Sequence, residues 1–240
     1  FGIKSKIVMP HTASKSKINA TKSYGGDVLL TKGKMMDTCQ ELIDKENLTF
    51  IHPFDDHDII SGQGTVSLEV INEIKTLDYA FISIGGGGLI SGMACFLKQI
   101  NPDIKVIGVE PITSNVMTKS IESGKPQNFD TLNNKTIADT LAAPFAGNIT
   151  FEYVKKYVDE IIPYSTETDL EDILNMFELD IRIIGEEYKK KTFTGRNICS
   201  KRGIEVYYNK RDHRFSSSGL RKRVYDREVS NDRSSDSDTG

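Results

Sequence analysis

With 240 residues, 38% of them hydrophobic, and 3 cysteines, the chain can bury one sizeable core or two small ones, and it has no basis for a disulfide framework. Cys39, Cys95 and Cys199 are odd in number and form no C-x-x-C pair, which argues against a structural zinc site and suits a reducing compartment; the expected location is cytoplasmic. The net charge of −3 hides a division, since residues 189–240 hold 14 Lys/Arg against 7 Asp/Glu while the residues before them hold 17 against 27.

The N-terminal Phe1-Gly2-Ile3-Lys4 lacks an initiator Met and an apolar signal core, so the chain is expected to begin inside a longer protein. Short Val/Ile/Phe-rich runs predict strands over 6–9, 27–30, 49–52, 79–84, 105–110 and 160–163. Helical spacing fills the intervals over 14–24, 35–47, 64–75, 89–99, 114–122, 150–157 and 168–184. Such alternation predicts an α/β fold of parallel open sheets with flanking helices, in which ligands gather beyond the carboxyl ends of strands. Residues 79–97 carry no charge, yet glycines at their centre split them into a strand half and a helix half, so no membrane span is expected.

Those glycines are Gly85, Gly86, Gly87 and Gly88, set between Ala80-Phe81-Ile82-Ser83-Ile84 and a helical pattern that opens at Leu89. Strand, glycine turn and helix in that order make an anion cradle: backbone N–H groups can approach a ligand closely, and the helix adds its unpaired amides and positive dipole end. The spacing is not the dinucleotide fingerprint, because Ser91 stands where a third glycine belongs, and no Gly-Lys-Ser/Thr follows as in a P-loop.

Taken in order, Lys6-Ile7-Val8-Met9-Pro10, Ala20-Thr21-Lys22-Ser23-Tyr24-Gly25-Gly26, His52-Pro53-Phe54-Asp55-Asp56, Gly62-Gln63-Gly64-Thr65, Gly85-Gly86-Gly87-Gly88-Leu89, Ile107-Gly108-Val109-Glu110-Pro111, Thr136-Ile137-Ala138-Asp139 and Val158-Asp159-Glu160-Ile161-Ile162 resemble the serine/threonine dehydratase and serine racemase family. The family uses pyridoxal 5'-phosphate. The resemblance implies fold type II, the tryptophan synthase beta-like fold, incomplete here at both ends. It further implies a small α/β domain over 1–76, a large one over 77–186, and the cofactor between them with its phosphate on the amides from Gly85 to Leu89. The family reaction is loss of water from L-threonine or L-serine to give a 2-oxo acid and ammonia; a serine racemase-like member is the alternative, and full-length relatives are expected to be homo-oligomers acting on small amino acids.

The chain also departs from the family. The Schiff-base lysine motif and the Ser-Ser-Gly-Asn-His-type substrate loop do not occur in it, and Lys17, Lys22 and Lys75 read as surface residues of amphipathic helices. The expected state of this polypeptide is therefore inactive or partial, with a non-catalytic truncated protein carrying a partner-binding basic tail as a further alternative. Relatives bind Mg or Ca with a Glu matching Glu110, a carbonyl four residues on and an Asp two beyond that. Val116 occupies the last position, which favours Glu110 as a helix cap or a solvated side chain. His52 and His57 read as solvated loop residues.

After Gly185-Glu186 the family pattern ends, and Cys199 and Ser200 lie in a stretch without strand periodicity. Residues 187–240 read as a basic, disordered tail; its interleaved charges and lack of an aromatic or Gly-rich pattern predict no nucleic-acid binding. With both ends departing from the family, exposed apolar surface is expected on the strands over 79–84 and 105–110.

Overall fold

The structure, a computed structural model, describes residues 3–13, 15–74, 76–129, 138 and 141–209. Lys75, the Thr136-Ile137-Ala138-Asp139 motif apart from Ala138, and the tail from residue 210 onward lie outside the described residues. Two compact units divide at Ile51 and His52, ahead of the expected boundary at 76.

In the first unit, strand β1 (Lys6–Pro10) pairs in parallel with β2 (Asp27–Thr31), Lys6 opposite Asp27 and Pro10 opposite Thr31. Helix α1 (Lys15–Ser23) makes the crossover that a parallel pair requires. Helix α2 (Met35–Glu46) follows and returns Glu46 to Lys6, with Oε1 and Nζ 2.5 Å apart. None of the described residues in this unit is buried, and Leu30 and Ile51 are 47% and 67% exposed. The apolar run over 49–52, predicted as a strand, belongs to none.

The second unit holds the core. Helix α3 (His57–Glu73) begins seven residues before the predicted start because Asp56 caps it, its Oδ1 accepting the N–H groups of Asp58 and Ile59 at 2.9 and 3.0 Å. Gly62 and Gly64, from the Gly62-Gln63-Gly64-Thr65 motif, lie within this helix. In the fold Gly64 faces Gly92 across a close helix crossing, where a Cβ on Gly92 would overlap the carbonyl of Ile60. Strands β3 (Tyr79–Ser83), β4 (Lys105–Pro111) and β5 (Glu160–Tyr164) form a parallel sheet in that order. Between them in sequence run α4 (Gly88–Ile100), α5 (Val116–Ser123) and α6 (Asn148–Tyr157).

Ile84, Ile90, Leu97, Val106, Val116, Met117 and Val154 make the fully buried centre of this unit. Each such side chain contributes about 1.5–3 kcal/mol relative to exposure. Six of the seven residues of β4 are buried, so the expected apolar exposure over 105–110 is not found, and on β3 it is confined to Tyr79, 52% exposed. Asp159 ties β5 to its neighbours, accepting the Val106 N–H at 2.8 Å and lying 2.7 Å from Lys98 Nζ. Burial works to raise its pKa, but Lys98, the Val106 amide and Lys105 outweigh it and hold the carboxyl below its ordinary value.

The predicted helix over 168–184 is instead a helix and a strand. Helix α7 (Glu167–Met176) opens with a capping box of Thr166 and Asp169, and β6 (Ile181–Gly185) follows it. The expected disordered tail also needs correction over 196–209: α8 (Arg196–Arg202) leads into β7 (Glu205–Asn209), which pairs in parallel with β6. Leu174, Cys199 and Ile204 form the small core beneath this βαβ unit, so Cys199 is a packing residue here. Among the described residues no helix is long and apolar enough to cross a membrane.

Candidate functional site

The turn between β3 and α4 is built by its neighbours. Gly87, with φ +95, is the residue before the helix, and a Cβ there would lie 2.7 Å from Met117 Cε and 2.9 Å from Thr150 Cβ. On another side the ring of Phe54 lies so close to Gly86 that any side chain would overlap it. Leu141 backbone packs on Gly85 from a third direction, at 3.3 Å from the position of a Cβ. Gly85, Gly86 and Leu89 stay partly open to solvent, while Gly87 and Gly88 are buried.

The N–H groups from Gly85 to Leu89 donate to no acceptor among the described residues, and the first i→i−4 bond of α4 runs from Ser91 N–H to Gly87 C=O at 3.0 Å. Gly87 has no side chain to cap the helix. Among the described residues, every other helix of eight or more residues in this unit receives a side-chain acceptor. Asp56 serves α3, Thr166 serves α7, Glu110 serves α5 and Asp55 serves α6. The unfilled donors at α4 are an arrangement that suits an anion with several oxygens, such as a phosphate.

Two supports of this turn escaped the sequence reading. Asp55 reaches across 93 to 95 residues to accept the N–H groups of Asn148, Ile149 and Thr150 at 3.0, 2.8 and 3.0 Å. The Thr150 hydroxyl, fully buried, donates to Gly86 C=O at 2.8 Å, with Gly147 C=O a longer second acceptor at 3.4 Å. His52 is half-buried rather than solvated, and its Nδ1 accepts the N–H groups of Phe54 and Asp55 at 3.2 and 2.7 Å. Burial lowers the pKa of this ring, against the raising influence of Asp55 and Asp56, in keeping with a neutral imidazole that accepts at Nδ1. His57 is exposed as predicted, but it opens α3 instead of lying in a loop, with Nδ1 3.4 Å from the Tyr153 hydroxyl.

Glu110 is a helix cap, one of the two readings the sequence favoured over the metal ligand that the resemblance offered. It is fully buried, and its oxygens accept the Met117 N–H at 2.8 Å, the Thr118 N–H at 2.9 Å and the Thr118 hydroxyl at 2.7 Å. Burial pushes its pKa up, and these three bonds and Lys119 pull it back in part. Val116 sits in the core, and the described residues contain no cluster of three or more His, Cys, Asp or Glu able to hold a metal. Lys17 and Lys22 are exposed on α1.

Residues 1–187 match the family described as "Pyridoxal-phosphate dependent enzyme". The chain is 38% identical to the L-threonine ammonia-lyase of Thermotoga maritima over 182 residues, covering 74% of this chain and 45% of that enzyme. It is also 38% identical to the serine racemase of Schizosaccharomyces pombe over 189 residues, 78% of this chain and 58% of the racemase. Among solved structures, maize serine racemase matches with a TM-score of 0.65 at 35% identity, covering 73% of this chain and 53% of that one. The chain thus spans about half the length of these relatives. A parallel α/β core, a glycine turn whose amides have no acceptor among the described residues and a family match over residues 1–187 place this chain in the pyridoxal-phosphate dependent enzyme family.

Proposed function

We propose that this chain binds pyridoxal phosphate through the amides of Gly85, Gly86, Gly87, Gly88 and Leu89, as part of an ammonia-lyase acting on L-threonine or L-serine. The observation that carries the reading is the start of α4, left without an acceptor while α3, α5, α6 and α7 each have one. The threonine ammonia-lyase name of the Thermotoga relative supports the substrate class. When bound, the cofactor supplies an electron sink for removing an α-proton and expelling a β-hydroxyl as water. The chain's own part is to fix the phosphate: Leu89, Gly88 and Gly87 offer N–H groups at the positive end of α4, and the buried packing behind them keeps those donors from collapsing onto protein acceptors.

Equilibrium dialysis of the chain against pyridoxal phosphate and against pyridoxal, which lacks the phosphate, tests this. Retention of the phosphorylated compound should be at least about tenfold stronger, equivalent to about 1.4 kcal/mol, and inorganic phosphate should compete. Equal retention of the two compounds refutes the assignment.

A further inference from the structure

Thr150 is not part of the glycine turn and lies 64 residues from Gly86, yet its hydroxyl is the protein group that holds the Gly86 carbonyl. A trans peptide is planar, with C=O and the next N–H on opposite sides. Anchoring Gly86 C=O on Thr150 therefore turns the Gly87 N–H away from Thr150. Gly87 has φ +95, a region open to glycine, and no side chain there favours one orientation of the neighbouring peptides. Something outside the turn has to choose one orientation.

The anchor is itself anchored. Thr150 stands in the first turn of α6, and its own N–H is one of the three taken by Asp55. Its side chain is fully buried, with Cβ 2.9 Å from the place a Cβ on Gly87 would occupy, so it has little room to swing to another acceptor. Asp55 in turn sits beside Phe54, whose ring lies against Gly86, and His52 holds the N–H groups of both. The loop and α6 thereby grip the glycine turn from two directions.

We infer that Thr150 is a positioning residue for phosphate, fixing through the Gly86 carbonyl the direction in which the Gly87 amide points. The inference rests on the phosphate reading above. Thr150→Val keeps the shape and removes the hydroxyl; Thr150→Ser keeps the hydroxyl and removes the methyl. For each full-length chain the measured quantity is the ratio of pyridoxal phosphate to pyridoxal retained in dialysis, which a general loosening of the fold would not change selectively. The ratio should fall about tenfold in Thr150→Val, a loss of about 1.4 kcal/mol, and stay near that of the unsubstituted chain in Thr150→Ser. If Thr150→Val does not fold, Thr150→Ala takes its place with the same expected loss. A Val or Ala variant that keeps the full ratio, or a Ser variant that loses as much as Val, overturns the inference while leaving the phosphate site standing. Absence of any preference in the unsubstituted chain overturns the phosphate site, and this inference with it.

Discussion

Replacing Asp55 with alanine removes the acceptor on which the start of α6 depends. Its carboxylate takes three N–H groups at 3.0, 2.8 and 3.0 Å, from Asn148, Ile149 and Thr150. Loss of a helix cap alone costs about 0.5–2 kcal/mol, and a charge at a partly buried helix terminus is worth up to about 2 kcal/mol. Asn148 is exposed, so water can take its N–H, whereas Ile149 is half-buried and Thr150 fully buried. The two inner donors therefore carry the loss, which we place at about 2–3 kcal/mol in total, since these contributions overlap and do not add. With a urea slope of about 2 kcal/mol per M, the midpoint should drop by about 1–1.5 M. Asp55→Asn keeps one acceptor oxygen and gives up the charge, so it should drop about half as far. Far-ultraviolet circular dichroism in urea reads both. An Asp55→Ala midpoint within about 0.2 M of the unsubstituted chain refutes the idea that this loop secures α6.

The 240-residue chain should produce no 2-oxo acid from L-threonine or L-serine, because it holds no lysine matching the family's Schiff-base motif; steady formation above a control of cofactor and buffer contradicts this. His52 titrates below its ordinary 6.5 because of burial, so the unfolded chain takes the proton more readily and stability present above that pH is lost as pH falls through the lowered value. Urea midpoints from about pH 7 to about pH 5 should decline more steeply for the unsubstituted chain than for His52→Gln, and parallel profiles count against it. Because the Glu110 oxygens serve α5, a chelator should leave the melting temperature unchanged. A drop reversed by Mg or Ca restores the metal assignment.

What was legible in sequence was local. The order of β3, glycine turn and α4 follows from a strand-length apolar run, four residues without Cβ and a helical repeat, all within about 20 positions. The alternation that gives parallel sheets was legible for the same reason. Elements decided by partners distant in sequence were not. Ile181, Ile183 and Ile184 continue a helical pattern as readily as they start a strand, and only pairing with Glu205–Asn209 makes them β6. The apolar residues over 49–52 carry strand character and form none, because strand formation needs a neighbouring ladder that composition does not reveal. Asp55 and Asp56 look alike in sequence. Asp56 caps the helix that follows it, which the Asp-His-Asp pattern could have shown, whereas Asp55 caps a helix more than 90 residues away.

The glycine run by itself is a weaker argument for phosphate than it first looks. Packing explains much of it: the ring of Phe54 excludes a side chain at Gly86, its Cβ lies 2.9 Å from where one would begin at Gly88, and φ explains Gly87. A structural turn with no ligand would need the same residues. Packing leaves the amides unexplained. Elsewhere in this unit the starts of the longer helices α3, α5, α6 and α7 each draw a carboxylate or hydroxyl, even from as far as Asp55, since an unsatisfied buried N–H costs about 1–3 kcal/mol, while the seven-residue α8 does without one. Around the turn and the start of α4 lie the Phe54 ring and carbonyl, the Leu141 carbonyl, Met117 and the Thr150 hydroxyl, which donates to Gly86 C=O. None of them accepts from the N–H groups of Gly85 to Leu89. A bound phosphate is the simplest group that satisfies those donors and matches the dipole, which is why the missing cap, more than the glycines, carries the assignment.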